Sequence, residues 1–256
     1  GSFLRRYCQL NDYASSALRE APEGRFHEPF TFTLARRRPV EVSGGSCLPH
    51  RVQHQNICRG NARSPADTPT EQENRTDMAQ ELSGKKAAIL ATDGFEQVEL
   101  TEPKKALEEA GAVTHVISLK PGKIKGWNVT EWGESVAVDK TLDQAHIEDY
   151  DLLLLPGGVQ NPDKLRMDKH AVAFVKKFAE SGKPVGAICH ASWTLIEAGV
   201  VKGRKMTSWP SLHTDLKNAG ADWVDQEVVV DRNFITSRKP DDLPVFNRNL
   251  IAALAS

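Results

Sequence analysis

Beyond Lys85 the chain alternates short apolar runs with longer stretches in which apolar residues recur at helical spacing, whereas residues 1–80 sustain neither period. Ala87–Ala91 predicts a strand, Val98–Ala110 a helix ended by Gly111, and Val113–Ser118 a second strand, together a βαβ unit with a right-handed crossover. Lys123–Asn128 and Ser135–Val138, with Gly133 between them, predict a small antiparallel pair. Asp151–Leu155 is apolar without alternation, as in a strand covered on both faces. After Pro156-Gly157-Gly158 comes a helix from Pro162 to Glu180, stopped by Ser181-Gly182. Pro184–Ile188 predicts a strand, Ala191–Ala198 a helix, Lys205–Ser208 a strand, and another helix runs to Ala219. Glu227–Val230 and Phe234–Thr236 form a hairpin turned by Asp231-Arg232-Asn233, and Leu243–Leu254 is the last helix. Strands alternating with helices predict one α/β sandwich domain over residues 85–256 around a mostly parallel sheet.

The basic residues change character at the same boundary. All eleven before Lys85 are arginine, and the other 22 of the 33 are mostly lysine, so the two parts answer different packing demands. Residues 1–80 end in a polar, proline-bearing run from Asn61 to Asp77 and read as a disordered extension, with Phe30–Leu34 as a stray strand. Met78 offers an alternative native start, which would leave that extension upstream of it. A net charge of −1 makes no electrostatic case for nucleic acid, and no apolar run reaches the roughly 18 residues that span a bilayer, which leaves small molecules or protein as partners. Four cysteines (Cys8, Cys47, Cys58, Cys189) are too few for a disulfide scaffold, and no signal-peptide pattern opens the chain, so a cytoplasmic protein is expected. Cys47, His50, His54 and Cys58 are the residue types of a zinc site, but their spacing matches no specific pattern and no metal is assigned to them. Arg36-Arg37-Arg38 reads as a solvated patch.

Candidate chemistry gathers where a parallel sheet binds its ligands, at the carboxyl ends of the strands. Three loops leave those ends: Thr92-Asp93-Gly94-Phe95-Glu96, Pro156-Gly157-Gly158 and Cys189-His190. Cys189 stands where an apolar strand turns without spacer into a helix. Such an elbow lifts its central side chain above the next helix's N-terminus, where a thiol should titrate below its free value of about 8.5. A cysteine that merely packs into the core is the competing reading. Glu99 and Glu102 could likewise serve only as helix-end carboxylates.

The three loops, in this order, resemble the ThiJ/PfpI superfamily, a group related to class I glutamine amidotransferases. The resemblance is carried by Asp-Gly-Phe-Glu-x-x-Glu-Leu (93–100), Leu-Leu-Pro-Gly-Gly (154–158), Gly-Lys-Pro-Val-x-Ala-Ile-Cys-His (182–190) and Asp-Gln-Glu-Val-Val-Val-Asp (225–231). The last of these, with Thr236-Ser237-Arg238-x-Pro240-Asp241-Asp242-Leu243-Pro244, is similar to the PfpI-type branch. The resemblance implies a flavodoxin-like three-layer sandwich with a nucleophile elbow. It makes Cys189 the nucleophile and Glu99 the carboxyl group that hydrogen-bonds its sulfur, with Glu96 as second choice. It also implies an oxyanion hole from the backbone N–H groups of Gly158 and His190. The His190 imidazole becomes a general base, completed by an acid from a neighbouring subunit, for which Asp163 is nominated. Where many relatives continue Cys-His with Gly-Pro, this chain has Ala191-Ser192-Trp193. Trp193 and Trp209 are therefore assigned to the pocket wall, and Trp127, Trp132 and Trp223 are left as structure or surface.

The expected function is a cysteine-dependent stress-protection enzyme of reactive carbonyls, either a glutathione-independent glyoxalase or a deglycase that removes methylglyoxal and glyoxal adducts from amines and thiols, with a small dicarbonyl or a glycated protein as substrate. It would use no metal or organic cofactor. A PfpI-type intracellular peptidase is the runner-up, and a redox-sensing chaperone, with Cys189 oxidised rather than turning over, a third reading. The resemblance implies a homodimer, or a hexamer built from dimers.

Overall fold

The computed structural model describes residues 81–256. The extension, Phe30–Leu34, Met78 and the Cys47, His50, His54, Cys58 group lie outside the described residues. In chain order the strands are β1 (Lys86–Leu90), β2 (Phe95–Glu96), β3 (Val113–Ser118), β4 (Lys123–Asn128), β5 (Glu131–Ala137), β6 (Lys140–Thr141), β7 (Leu152–Leu155), β8 (Val185–Ile188), β9 (Lys205–Met206), β10 (Asp222–Trp223), β11 (Val228–Asp231) and β12 (Phe234–Ser237). The helices are α1 (Gln97–Glu109), α2 (Gln160–Met167), α3 (Lys169–Glu180), α4 (Ser192–Glu197), α5 (His213–Asn218) and α6 (Leu243–Ala255).

Seven strands form the central sheet in the order β11-β12-β8-β7-β1-β3-β6, parallel throughout except for the β11–β12 hairpin. Side chains alternate across it. Ala87 and Ile89 pack with Leu100, Leu107, Phe246 and Leu250 on the α1/α6 face, while Ala88 and Leu90 pack with Leu165, Phe174, Phe178 and Leu195 on the opposite face. These are the three layers of the sandwich, and both faces are covered, which is why the inner strands lack an alternating sequence. From β1 the chain crosses to β3 on one side and later returns to β7 on the other, so a crevice opens at their carboxyl ends.

Several expected boundaries move for physical reasons. The helix expected from Pro162 to Glu180 is two helices, because Asp168 adopts φ −92°, ψ 115° and its Oδ1 accepts from the backbone N–H groups of His170 (2.8 Å) and Ala171 (3.0 Å). Gly133 lies inside β5 and not between strands. A Cβ there would fall 1.9 Å from Oε1 of Gln97, the atom that accepts from Glu134 N at 2.7 Å. The hairpin turns at Arg232-Asn233 alone, with Asp231 still paired to Phe234 and Arg232 at φ 56°. The expected strand Lys205–Ser208 shrinks to β9, paired with β10 in a separate ribbon. β2, β6 and β10 are too short for a periodic signal.

Candidate active site

β8 ends at Ile188, and the backbone turns at Cys189 with φ 62°, a left-handed conformation rare for a residue with a Cβ. Residues Cys189–Ala191 form a single 3-10 turn before α4. The strained corner sets the thiol, 7% exposed, at the crevice. Its Sγ lies 3.2 Å from Nδ1 of His190, and the backbone N–H groups of His190 and Gly158 favour the sulfur's charged form against burial. Cys189 and the two backbone N–H groups expected to serve as oxyanion donors therefore lie near one another.

Glu99, in the first turn of α1, is fully buried and accepts from the Gly157 N–H at 2.9 Å through Oε2. Its Oε1 has no hydrogen-bond partner among the described residues, and the carboxyl group stands against the Cys189 thiol. Burial pushes this carboxyl up to about 8, against the opposing pull of the Gly157 N–H and the thiol. Glu99 thus holds a proton at neutral pH, which it can donate to the sulfur. The thiol does not follow the low-pKa expectation. Burial, then the neighbouring Glu99 charge, pushes it above its ordinary range, with the His190 and Gly158 amides opposing. The helix behind it, α4, has only six residues, too short to supply the strong dipole assumed from sequence. Cys189 and Glu99 titrate as a pair, and a nucleophilic thiolate is stabilised only while the carboxyl keeps its proton.

The glycines have distinct duties. A Cβ on Gly157 would lie 2.6 Å from Oε2 of Glu99 and 2.7 Å from Cβ of Cys189, so this glycine is what lets acid and nucleophile meet. Gly158, at φ 76°, is glycine for a reason other than substrate clearance: a Cβ would strike Gly94 O at 2.5 Å and Glu96 N at 2.6 Å.

His190 is partly buried, and burial lowers its pKa, keeping the imidazole neutral. The ring stacks on Trp209 (centroids 5.9 Å, 26°), meets Trp193 at 5.0 Å, and presents Nε2 to Ser211 Oγ at 3.4 Å. Trp209 lines the cavity above Cys189. Trp193 is not among the lining residues but backs His190, with its Nε1 donating to Asp215 at 2.9 Å and the Arg166 guanidinium over its ring. Asp163 is half exposed and accepts from Arg166 Nη2 at 2.7 Å; no bond joins it to His190 among the described residues. Glu96 lines the cavity, its pKa raised by burial against the Val129 N–H.

Three contributors escaped sequence reasoning. Asn161, with no exposed surface, accepts from Thr92 N (2.8 Å) and donates to Pro156 O (2.8 Å) and Gly157 O (3.2 Å), tying two of the site loops together. Its position before Pro162 in the turn after Gly158 was the available signal. Trp127 and Val129, from the β4–β5 ribbon, wall the cavity, and nothing local marks them because β2 carries that ribbon to the site. The cavity measures about 560 Å³. Among the described residues no group of His, Cys, Asp and Glu gathers to hold a metal ion, and no helix is long and apolar enough to cross a membrane.

A family model described as the DJ-1/PfpI family matches residues 85–253. Protein/nucleic acid deglycase 2 of Escherichia coli is 47% identical over 175 residues, covering 67% of this chain and 99% of that protein. The putative cysteine protease YraA of Bacillus subtilis is 47% identical over 171 residues, covering 66% and 98%. Among solved structures, a two-domain protein with DJ-1/ThiJ/PfpI-like and ferritin-like domains from Anabaena variabilis is 36% identical with a TM-score of 0.63, covering 66% of this chain and 48% of that one.

Proposed function

The chain belongs to the DJ-1/PfpI family, and from that premise we propose that it is a cysteine-dependent enzyme of reactive carbonyls, a deglycase or glutathione-independent glyoxalase acting on methylglyoxal and its early adducts. The observation that carries this reading is the Cys189 sulfur set at the crevice with His190 at 3.2 Å, the buried Glu99 carboxyl group and the His190 and Gly158 backbone N–H groups beside it. A thiolate needs such donors when it attacks a carbonyl, because negative charge then moves onto the carbonyl oxygen.

In the proposed sequence an adduct first expels its amine or thiol and reforms the aldehyde. Cys189 gives its proton to the neutral His190 imidazole as the sulfur adds to the aldehyde carbon, the C=O pair becomes an alkoxide on the Gly158 and His190 amides, and the imidazolium, or Glu99 in its place, protonates it. The neutral imidazole, or the carboxylate left on Glu99, then removes the proton from the former aldehyde carbon and returns it to the neighbouring carbonyl carbon through an enediol. This converts the hemithioacetal into a lactoyl thioester without an external oxidant. Water cleaves the thioester, freeing lactic acid and the Cys189 thiol.

The purified protein is expected to convert methylglyoxal to lactate without added glutathione and to lose this in Cys189→Ala. A wild-type protein that leaves methylglyoxal unchanged refutes the reading, and Cys189-dependent peptide hydrolysis in its place would favour the peptidase alternative suggested by the relative named as a putative cysteine protease.

A further inference from the structure

The cavity is far larger than the reacting group. A volume of about 560 Å³ suits a ligand of drug size, for which pockets run roughly 300–1,000 Å³, whereas methylglyoxal is a three-carbon molecule. The surplus is walled by Trp127, Val129, Val159, Trp209 and Pro240. No lysine or arginine lines it among the described residues, and its acidic groups are Glu96 and Glu99. The Trp127 indole is held in place: its Nε1 donates to Val129 O at 3.0 Å, and its ring meets Trp132 edge-on at 5.5 Å and 82°. Its backbone pairs with Glu96 across β2 and β4, so the apolar wall hangs on the same ladder as the loop that leads to Glu99.

We infer that this site prefers carbonyl adducts whose carrier places an aromatic or large aliphatic side chain beside the adduct, seated between Trp127 and Trp209, with Trp127 setting the preference. This rests on the reading of the site as a reactive-carbonyl enzyme and specifies what carries the carbonyl. An apolar side chain entering the cavity leaves water for two indole faces, and a planar one gains ring contacts as well. A nucleotide adduct would bring its phosphate toward the Glu96 carboxyl group and no cation among the lining residues, a mismatch that selects against it. In the reaction the hemithioacetal R–S–CH(OH)–CO–CH3 expels R–SH and leaves the aldehyde beside Cys189. One water is consumed in the later thioester cleavage, so R–SH and lactic acid are the products and the redox change is internal to the three-carbon unit.

The test compares N-acetyl-Cys-Phe-amide with N-acetyl-Cys-Gly-amide, each pre-equilibrated with methylglyoxal to the same free concentration, and follows thiol release and lactate. kcat/KM is expected to favour the Phe peptide by about tenfold in the wild type, and Trp127→Ala to bring the ratio close to unity. Trp127→Leu, which keeps apolar bulk but loses the stacking face, should lower the ratio by a smaller factor and serves if the alanine variant does not fold. Methylglyoxal-treated deoxyguanosine monophosphate runs alongside. Equal values for the two peptides, a ratio unmoved in both variants, or a nucleotide adduct processed faster than the Phe peptide overturns the inference and leaves the proposed function standing. Lactate from no adduct and none from free methylglyoxal overturns both.

Discussion

Replacing Glu99 with glutamine removes an ionisable group that has no exposed surface while keeping its size and an acceptor for the Gly157 N–H. In the folded chain burial carries this carboxyl from an ordinary 4.5 to about 8. Between those values the folded protein keeps a proton that the unfolded chain has released, so stability falls as pH rises. The contribution is fully present below the unfolded pKa and gone above the folded one. The slope is about 1.4 kcal/mol per pH unit, so this one group accounts for roughly 4 kcal/mol between pH 5 and pH 8. Urea unfolding of wild type and Glu99→Gln at both pH values, at one protein concentration, isolates that contribution because the other titrating groups cancel in the difference. The glutamine variant is expected to gain on the wild type by roughly that amount on going to pH 8. Parallel curves would falsify the argument, since they mean that the Cys189–Glu99 pair binds no more protons when folded than when unfolded. The same pair links stability to reactivity: as pH passes about 8 in the wild type, alkylation of Cys189 by iodoacetamide should lag behind that of a free thiol, because the carboxylate then left on Glu99 holds the thiol protonated.

Gly157→Ala forces a methyl group between acid and nucleophile, with closest approaches of 2.6 Å to Glu99 and 2.7 Å to Cys189; about 1–3 kcal/mol of stability and at least a hundredfold in turnover should be lost, and a variant with wild-type kinetics contradicts this. Asn161→Asp keeps the acceptor for Thr92 N but sets a carboxylate against the Pro156 and Gly157 carbonyls, so turnover is expected to drop about a hundredfold through a displaced Gly158 amide. Iodoacetamide alkylation of Cys189, which needs no oxyanion donor, should stay close to wild type; an equal loss in both assays would show general disruption instead. Trp193→Ala uncovers the His190 ring, whose pKa burial now lowers, and an NMR titration should find it moving up toward the ordinary histidine value of about 6.5. A downward move or none would show that Trp193 does not shield the imidazole.

Local physics made the scaffold readable. Strand and helix order from β1 to α6 follows from apolar runs and helical spacing, since both faces of the sheet are buried and each helix needs one apolar stripe. The elbow was also local: a tight apolar run ending in Cys-His leaves the thiol at a strand terminus whatever surrounds it. So was the Asp93–Leu100 motif that placed Glu99 near it. Boundaries failed where one polar side chain overrode periodicity, as Asp168 does by capping α3 and Gln97 does by crossing β5 at Gly133.

What the sequence determined alone was therefore the order of elements, the parallel sheet and the placing of a candidate thiol at the elbow, because each depends on residues adjacent in the chain. Only the tertiary structure decided the electrostatics and the walls. Glu99 and Cys189 are 90 positions apart in sequence, and the proton they hold depends on how completely the two loops exclude water around them. Trp127 reaches the cavity through a two-residue strand, Asn161 ties loops that begin on different strands, and Trp193 supports His190 from behind the wall it was expected to form. Burial and long-range contact set these properties, and neither leaves a periodic trace in the residues that carry them.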